Sequence, residues 1–239
     1  VTNWHEITPS EFAWEREALR FVRDRFPRHE PYRAWSNFEF LAEGGQLYEV
    51  DLLVCSPKGL FLVEVKSWPG ALAGDDHTLA WTDPDGRTRH RDHPLRLTNL
   101  KAKKLRSLLE RQRAAREGGR RAVPFVHPIV FLSDPDVRLD LDPPGRTGVV
   151  VRERRSGVPG VEEALLDVTT ADHERWRTRP QERLDRPAAK VVAGALEQAG
   201  VRPSNRLRRV GQYRLGELLG EAEGAGSQDF AGEHEQLAG

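Results

Sequence analysis

Two short apolar runs, Gln46 to Cys55 and Leu60 to Ser67, constrain this chain most, because the Ser56-Pro57-Lys58-Gly59 stretch between them makes them read as a β-hairpin. Asp51, Glu64 and Lys66 stand inside these runs, where a core strand wants no charge. A four-residue loop puts Cys55 opposite Leu60 and makes partner numbers sum to 115, so Asp51 falls opposite Glu64 with Cβ atoms roughly 4.5–5.5 Å apart. Lys66, two residues beyond Glu64, shares that face, whereas Phe61, Val63 and Val65 point to the other. A slip of one residue would separate the acids.

Two facing carboxylates repel unless a cation neutralises them. Lys66 supplies one charge. A hard divalent ion such as Mg²⁺ would supply the rest and suits phosphodiester chemistry, in which it polarises a phosphoryl oxygen and acidifies a water while Lys66 orients that water or steadies developing charge. The spacing equally suits a plain salt bridge of Lys66 with Asp51 or Glu64 at a sheet edge.

The whole chain, 239 residues, suits one large domain or a domain with an extension. Hydrophobic residues make up 38% and charged residues 31%, so its few apolar runs are expected to be true core elements. The formal net charge of zero hides two opposite fields. Arg96 to Arg121 carries ten Lys/Arg against two Glu, and Glu217 to Gly239 carries six acids and no Lys or Arg. The basic stretch is a candidate nucleic-acid footprint or a solvated helix face. Cys55 is the single cysteine, which excludes an internal disulfide and a cysteine zinc cluster, suits a buried strand position, and fits a reducing cytoplasm. No stretch approaches the ~20 apolar residues of a membrane span, and no signal-peptide pattern opens the chain, so no membrane partner is expected. Methionine is absent, which is read as a sign of a fragment.

Along the chain, Thr8-Pro9-Ser10-Glu11 opens a helix whose apolar face is Trp14, Ala18, Leu19, Val22 and Phe26, and Pro27 stops it. A strand near Tyr32 to Phe40 leads through Gly44-Gly45 into the hairpin. Ala71 to Arg91 reads as another hairpin with Asp83 to Gly86 at its tip. A basic helix over Pro94 to Arg116 follows, its apolar residues being Leu97, Leu100, Leu105, Leu108 and Leu109. Pro124 to Ser133 and Gly148 to Arg152 read as strands, Val161 to Leu166 and Pro187 to Gln198 as short helices, and Arg202 to Arg209 as an Arg-rich joint. The alternation predicts an α/β fold with a mixed sheet.

The residues Glu49-Val-Asp51-Leu-Leu-Val and Pro57-Lys-Gly59-Leu-Phe-Leu-Val-Glu64-Val-Lys66-Ser-Trp68-Pro-Gly70 resemble the nuclease-related domain (NERD) family of the PD-(D/E)XK nuclease superfamily. The resemblance extends back to Trp14-Glu15, where the family has Gly-Glu, and forward to His93-Pro94-Leu95-Arg96 and Pro128-Ile-Val-Phe131, covering roughly residues 10 to 135. It implies a restriction-endonuclease-like core, a mixed central sheet flanked by helices, Mg²⁺ or Mn²⁺ as cofactor, and a catalytic set carried over as Glu15, Asp51, Glu64 and Lys66, with Asp51 and Glu64 on the metal. Glu11 and Glu17 are acids close to Glu15, and Leu97 stands near the place of a glutamine common in the family. Trp68 is expected to pack rather than to stack on bases. The basic helix supplies the phosphate contacts, read as Arg96, Lys101, Lys103, Lys104, Arg106, Arg111 and Arg113.

Tyr213-Arg-Leu-Gly-Glu-Leu-Leu-Gly220-Glu-Ala-Glu-Gly224-Ala-Gly226 resembles, with Ala222 and Ala225 interrupting the glycine spacing, the entry strand and glycine-rich loop of a protein kinase. No catalytic kinase residues follow, so kinase activity is not expected of this stretch. The expected organisation is a nuclease-like domain over 1–180, a helical Arg-rich linker over 181–210 and a kinase start over 211–239. It is similar to the NERD–kinase proteins of bacterial phage-growth-limitation (BREX-like) defence, which implies other defence proteins as partners. The expected function is Mg²⁺-dependent cleavage or nicking of DNA; the alternative is an inactive nucleic-acid-binding module controlling an attached Ser/Thr kinase. No helix-turn-helix or zinc-finger pattern offers base readout.

Overall fold

The computed structural model describes residues 3–118, 123–166, 184–203, 209–210, 213–221 and 228–234. The chain divides into two compact units, residues 1–203 and 204–239. In the first, β1 (Trp4–Glu6) and α1 (Ala13–Asp24) precede β2 (Arg33–Leu41), β3 (Leu47–Ser56) and β4 (Gly59–Lys66). Then come β5 (Ala71–Gly74), β6 (Thr78–Thr82), β7 (Thr88–Asp92), α2 (Leu95–Glu110) and α3 (Arg113–Glu117). The unit finishes with β8 (Val126–Leu132), β9 (Arg138–Leu141), β10 (Val149–Val151), α4 (Val161–Leu165), α5 (Arg186–Gln198) and β11 (Arg202–Pro203).

The main sheet runs β1-β2-β3-β4-β8-β10, with β11 added to β2. β2, β3 and β4 are antiparallel neighbours, while β4-β8 and β8-β10 are parallel, so the fold is α/β with a mixed sheet. Parallel strands need crossovers, and the crossover from β4 to β8 carries α2. One sheet face packs Leu53, Cys55, Leu60 and Leu62 against α2, α3 and α5 through Ala102, Leu105, Leu109, Ala115, Val192 and Leu196. The other packs Leu52, Val54, Phe61, Val63 and Val65 against α1 and α4 through Ala18, Leu19, Val22, Val161 and Leu165. Strand alternation therefore feeds two cores at once, as a sheet covered on both faces requires. Cys55 is fully buried in the first core, and burial pushes its thiol up to about 12.

A second sheet, β7-β6-β5-β9, shares a third core with the β8–β10 edge. Gly70 admits it. Its φ is +104°, and a Cβ there would meet the Thr82 carbonyl oxygen at 2.2 Å. Trp68 stacks on Trp81 at 6.2 Å and packs at the margin of this core. Asp83 closes the β6–β7 tip by accepting from the N–H groups of Asp85 and Arg87.

Several elements depart from the pattern in the sequence. α1 starts at Ala13, because Ser10 Oγ accepts from the Phe12 N–H in a turn ahead of the helix rather than capping it. The single basic helix is two, broken at Arg111–Gln112. The stretch 181–210 is more than a linker: α5 buries Ala189, Val192, Ala195 and Leu196 in the first core, and β11 pairs with β2. The second unit contains an antiparallel sheet of β12 (Arg209–Val210), β13 (Tyr213–Glu221) and β14 (Gln228–His234). The glycine-rich segment at 222–227 and most of the Arg-rich joint, 204–208, lie outside the described residues.

Candidate active site

The β3–β4 ladder pairs Ser56 with Gly59, Cys55 with Leu60, Val54 with Phe61, Leu53 with Leu62 and Leu52 with Val63. Every pair sums to 115. The ladder stops there, one step short of Asp51 and Glu64. The N–H of Val65, which a continued ladder would aim at the β3 backbone, donates instead to Asp51 Oδ2 at 2.8 Å. The Asp51 carboxylate thus replaces a strand carbonyl at the point where backbone pairing ends.

The same step is irregular on the other side of β3. Ser36 pairs with Leu52 and Phe38 with Val50, and the intervening Asn37–Asp51 bridge is missing. Asn37 has φ +54°, a left-handed conformation tolerated by asparagine but costly inside a strand. Core-facing positions change parity across this step. Leu53 and Val50 both enter the first core, as do Trp35 and Phe38. Asn37 is 4% exposed, and its Nδ2 has no hydrogen-bond partner among the described residues. Nothing in the β2 pattern singles out this residue, because Arg33, Ser36 and Glu39 are polar positions of the same strand.

Glu64 is 5% exposed and sits between two ammonium groups. Lys66 Nζ donates to its Oε1 at 2.7 Å, and Lys101 Nζ from α2 donates to its Oε2 at 2.7 Å. Burial pushes the Glu64 carboxyl up, but the charges and hydrogen bonds of Lys101 and Lys66 overcome it and hold the group at about 2. Asp51 is buried at 2%. Glu15 is likewise buried, in the first turn of α1. Its neighbour Glu17 pairs with Arg152, whose Nε donates to the Ser133 carbonyl, and the Ser133 N–H donates to the Lys66 carbonyl. The start of α1 is therefore tied to the end of β4 that carries Lys66.

Lys101 was expected among the outward phosphate contacts; it points inward instead. The buried side of α2 is Thr98, Lys101, Ala102, Leu105 and Leu109, while Leu97 and Leu100 are 53% and 41% exposed. At its first turns α2 passes the sheet end that presents Glu64, and a buried carboxylate there requires a donor rather than a leucine. His93 fixes the start of this helix. Its Nδ1 accepts the Leu95 N–H and its Nε2–H donates to the Gly145 carbonyl, both at 3.1 Å, and burial lowers its pKa.

Among the other basic residues, Arg106 pairs with Glu110, Arg111 with Glu43 and Arg113 with Glu117. Arg96, Lys103 and Lys104 form no ion pair among the described residues, and Arg96 and Lys103 are exposed.

A compact α/β unit with a mixed sheet and two buried acids and a lysine where β3 and β4 part defines a nuclease-like class. The nuclease-related domain family matches residues 10–133, and the chain belongs to it. Its fold is PD-(D/E)XK-like. The chain is also similar to a protein of Streptomyces coelicolor named "Probable kinase PglW", with 36% identity over 212 residues, which are 89% of this chain and 12% of that protein. No solved structure matches.

Asp51 and Glu64 offer only oxygen, suiting a hard ion that keeps several waters and needs one or two carboxylates. Both Glu64 oxygens and one Asp51 oxygen already accept hydrogen bonds. Among the described residues no group of three or more His, Cys, Asp or Glu gathers as a metal cluster. The pair is thus oxygen-only, as a hard ion requires, with both Glu64 oxygens engaged by ammonium groups.

Proposed function

We propose that the first unit is a metal-dependent nuclease or nicking module that hydrolyses phosphodiester bonds in DNA. The observation that carries this reading is the Glu64 carboxylate, buried and paired with Lys66 on the strand next to Asp51, where both strand ladders of β3 break. Asp51 and Glu64 would hold Mg²⁺ or Mn²⁺, which when bound supplies Lewis-acid polarisation of the phosphoryl group and an acidified water. Asp51 is held in place by the Val65 N–H. Glu64 orients Lys66, whose side chain is 19% exposed and so reaches the solvent side of the site. There the ammonium donates to an attacking water or to a phosphoryl oxygen as charge builds on it. Glu15 joins as a further carboxylate from α1. Arg96, Lys103 and Lys104 track the phosphate backbone with salt-dependent, sequence-independent affinity.

We also propose that the module works in the cytoplasm as the front of a longer defence protein against phage, joined to a kinase whose start falls within 211–239 and includes β13 and β14. The similarity to a protein named as a kinase and the β13–β14 hairpin support that arrangement. Among the described residues no helix is long and apolar enough to cross a membrane. One observation favours a second reading, a non-cleaving nucleic-acid-binding module that controls the kinase: both Glu64 oxygens are held by lysines.

Cleavage of supercoiled plasmid with Mg²⁺ or Mn²⁺ separates the two readings. Glu64→Ala and Lys66→Ala are each expected to lower the rate by a factor of about 100 or more. Undiminished cleavage in both variants overturns the assignment, and no cleavage by the parent protein while DNA still binds favours the second reading.

A further inference from the structure

We infer that Lys101 is a built-in counter-cation of the Asp51–Glu64 pair, seated on Glu64 until a divalent ion displaces it, and that it sets how tightly the site takes metal. The inference rests on the metal-site reading above.

The geometry argues for competition rather than simple bracing. Lys101 reaches Glu64 from α2, a different element from the β4 strand that carries Lys66, and its side chain is 10% exposed. Its Nζ lies 2.7 Å from Oε2, the oxygen that Lys66 leaves free. Asp51 and Glu64 together carry two negative charges, and Lys66 and Lys101 return two positive ones. With Glu15 as the further carboxylate, these side chains carry one net negative charge, so a divalent ion would leave one positive charge in excess inside a buried site, with an ammonium on the oxygen the ion needs. Like charges at this range in a protein interior repel strongly. A lysine can retreat, because its ammonium rides on a flexible four-carbon stem.

The helix itself favours the same conclusion. Placing Lys101 inward leaves Leu97 and Leu100 exposed on the early turns of α2. Burying a lysine there while exposing two leucines is unfavourable for stability alone, and the facing Glu64 is what offsets it.

Calorimetric titration of Mn²⁺ and Mg²⁺ into the full chain tests the inference, using the parent, Lys101→Met and Lys101→Gln, each with and without Asp51→Asn, with folding checked by circular dichroism. Both Lys101 variants keep the Lys66 partner of Glu64 and are expected to fold. They are expected to bind Mn²⁺ at least about tenfold more tightly than the parent, and Asp51→Asn is expected to remove that binding. A lysine that only braced the helix would produce no gain. Unchanged or weaker binding in both variants, with parent binding still dependent on Asp51, overturns the role of Lys101 and leaves the metal site standing. Absence of Asp51-dependent binding in every protein overturns both.

Discussion

The two ends of the β3–β4 hairpin obey opposite rules. At the turn end, Leu52, Leu53, Val54, Cys55, Leu60, Phe61, Leu62 and Val63 pair in unbroken register and are at most 2% exposed. One step further along the same strands stand Asp51 and Glu64, with pairing interrupted on both sides of β3 and a left-handed Asn37 alongside. The turn end satisfies every local preference of a buried sheet, and the other end violates several at once. Such violations persist only where the surrounding structure holds them, and they cluster where a chain does chemistry. Scaffold and site thus meet at a single residue pair, Leu52–Val63.

The largest effect that could break this division lies at the turn end. Leu62 is fully buried between Leu53 and the α2 layer, so Leu62→Ala is expected to cost about 2–5 kcal/mol in urea unfolding, the range for a leucine truncated in a close-packed core. A cost below about 1 kcal/mol would show that this end is not the scaffold. At the site end, stability is expected to depend on pH instead. Glu64 has its carboxyl held down at about 2, so the stability it contributes is fully present above the ordinary glutamate range and is lost as pH falls towards that value. Unfolding measured from about pH 6 to about pH 2 should show a loss in the parent that Glu64→Gln lacks; parallel curves would contradict it.

What was legible in the sequence follows the same line. The hairpin register follows from a four-residue Ser56–Gly59 loop with alternation assigning the faces; the turn is the shorter Pro57–Lys58, with Ser56 paired to Gly59, which leaves the sum of 115 and the faces unchanged. The inner face of α1 was readable too, because Ala18, Leu19, Val22 and Phe26 meet an apolar sheet. α2 was misread by the same rule. Its periodic leucines include Leu97 and Leu100, but the sheet end they would cover presents Glu64, and the tertiary demand for a donor rotates Lys101 inward. Arg106, Arg111 and Arg113 looked alike in a basic run, yet each has an acid within reach, two of them one helical turn away at Glu110 and Glu117. The strand irregularity at Asn37 had no periodic signature, because one residue changes the faces of β2 without disturbing its pairing numbers.

Asn37 gives the smallest expected effect, of opposite sign to the others. Its backbone sits at φ +54° and its buried side-chain amide Nδ2 lacks a partner among the described residues. Both features are destabilising: a left-handed non-glycine residue in a strand carries strain, and an unsatisfied buried donor carries a desolvation cost. Asn37→Gly relieves the two together, against the loss of a little packing and the extra freedom of glycine in the unfolded chain. The net expectation is a gain of about 1 kcal/mol, read as a rise of about 2–4 °C in Tm. If the residue instead stabilised the domain as the turn-end leucines do, Asn37→Gly would lower Tm. In that case the interruption beside Asp51 belongs to the scaffold. A higher Tm with slower plasmid cleavage would place Asn37 on the chemical side of the boundary, since stability gained at a strained site commonly lowers activity.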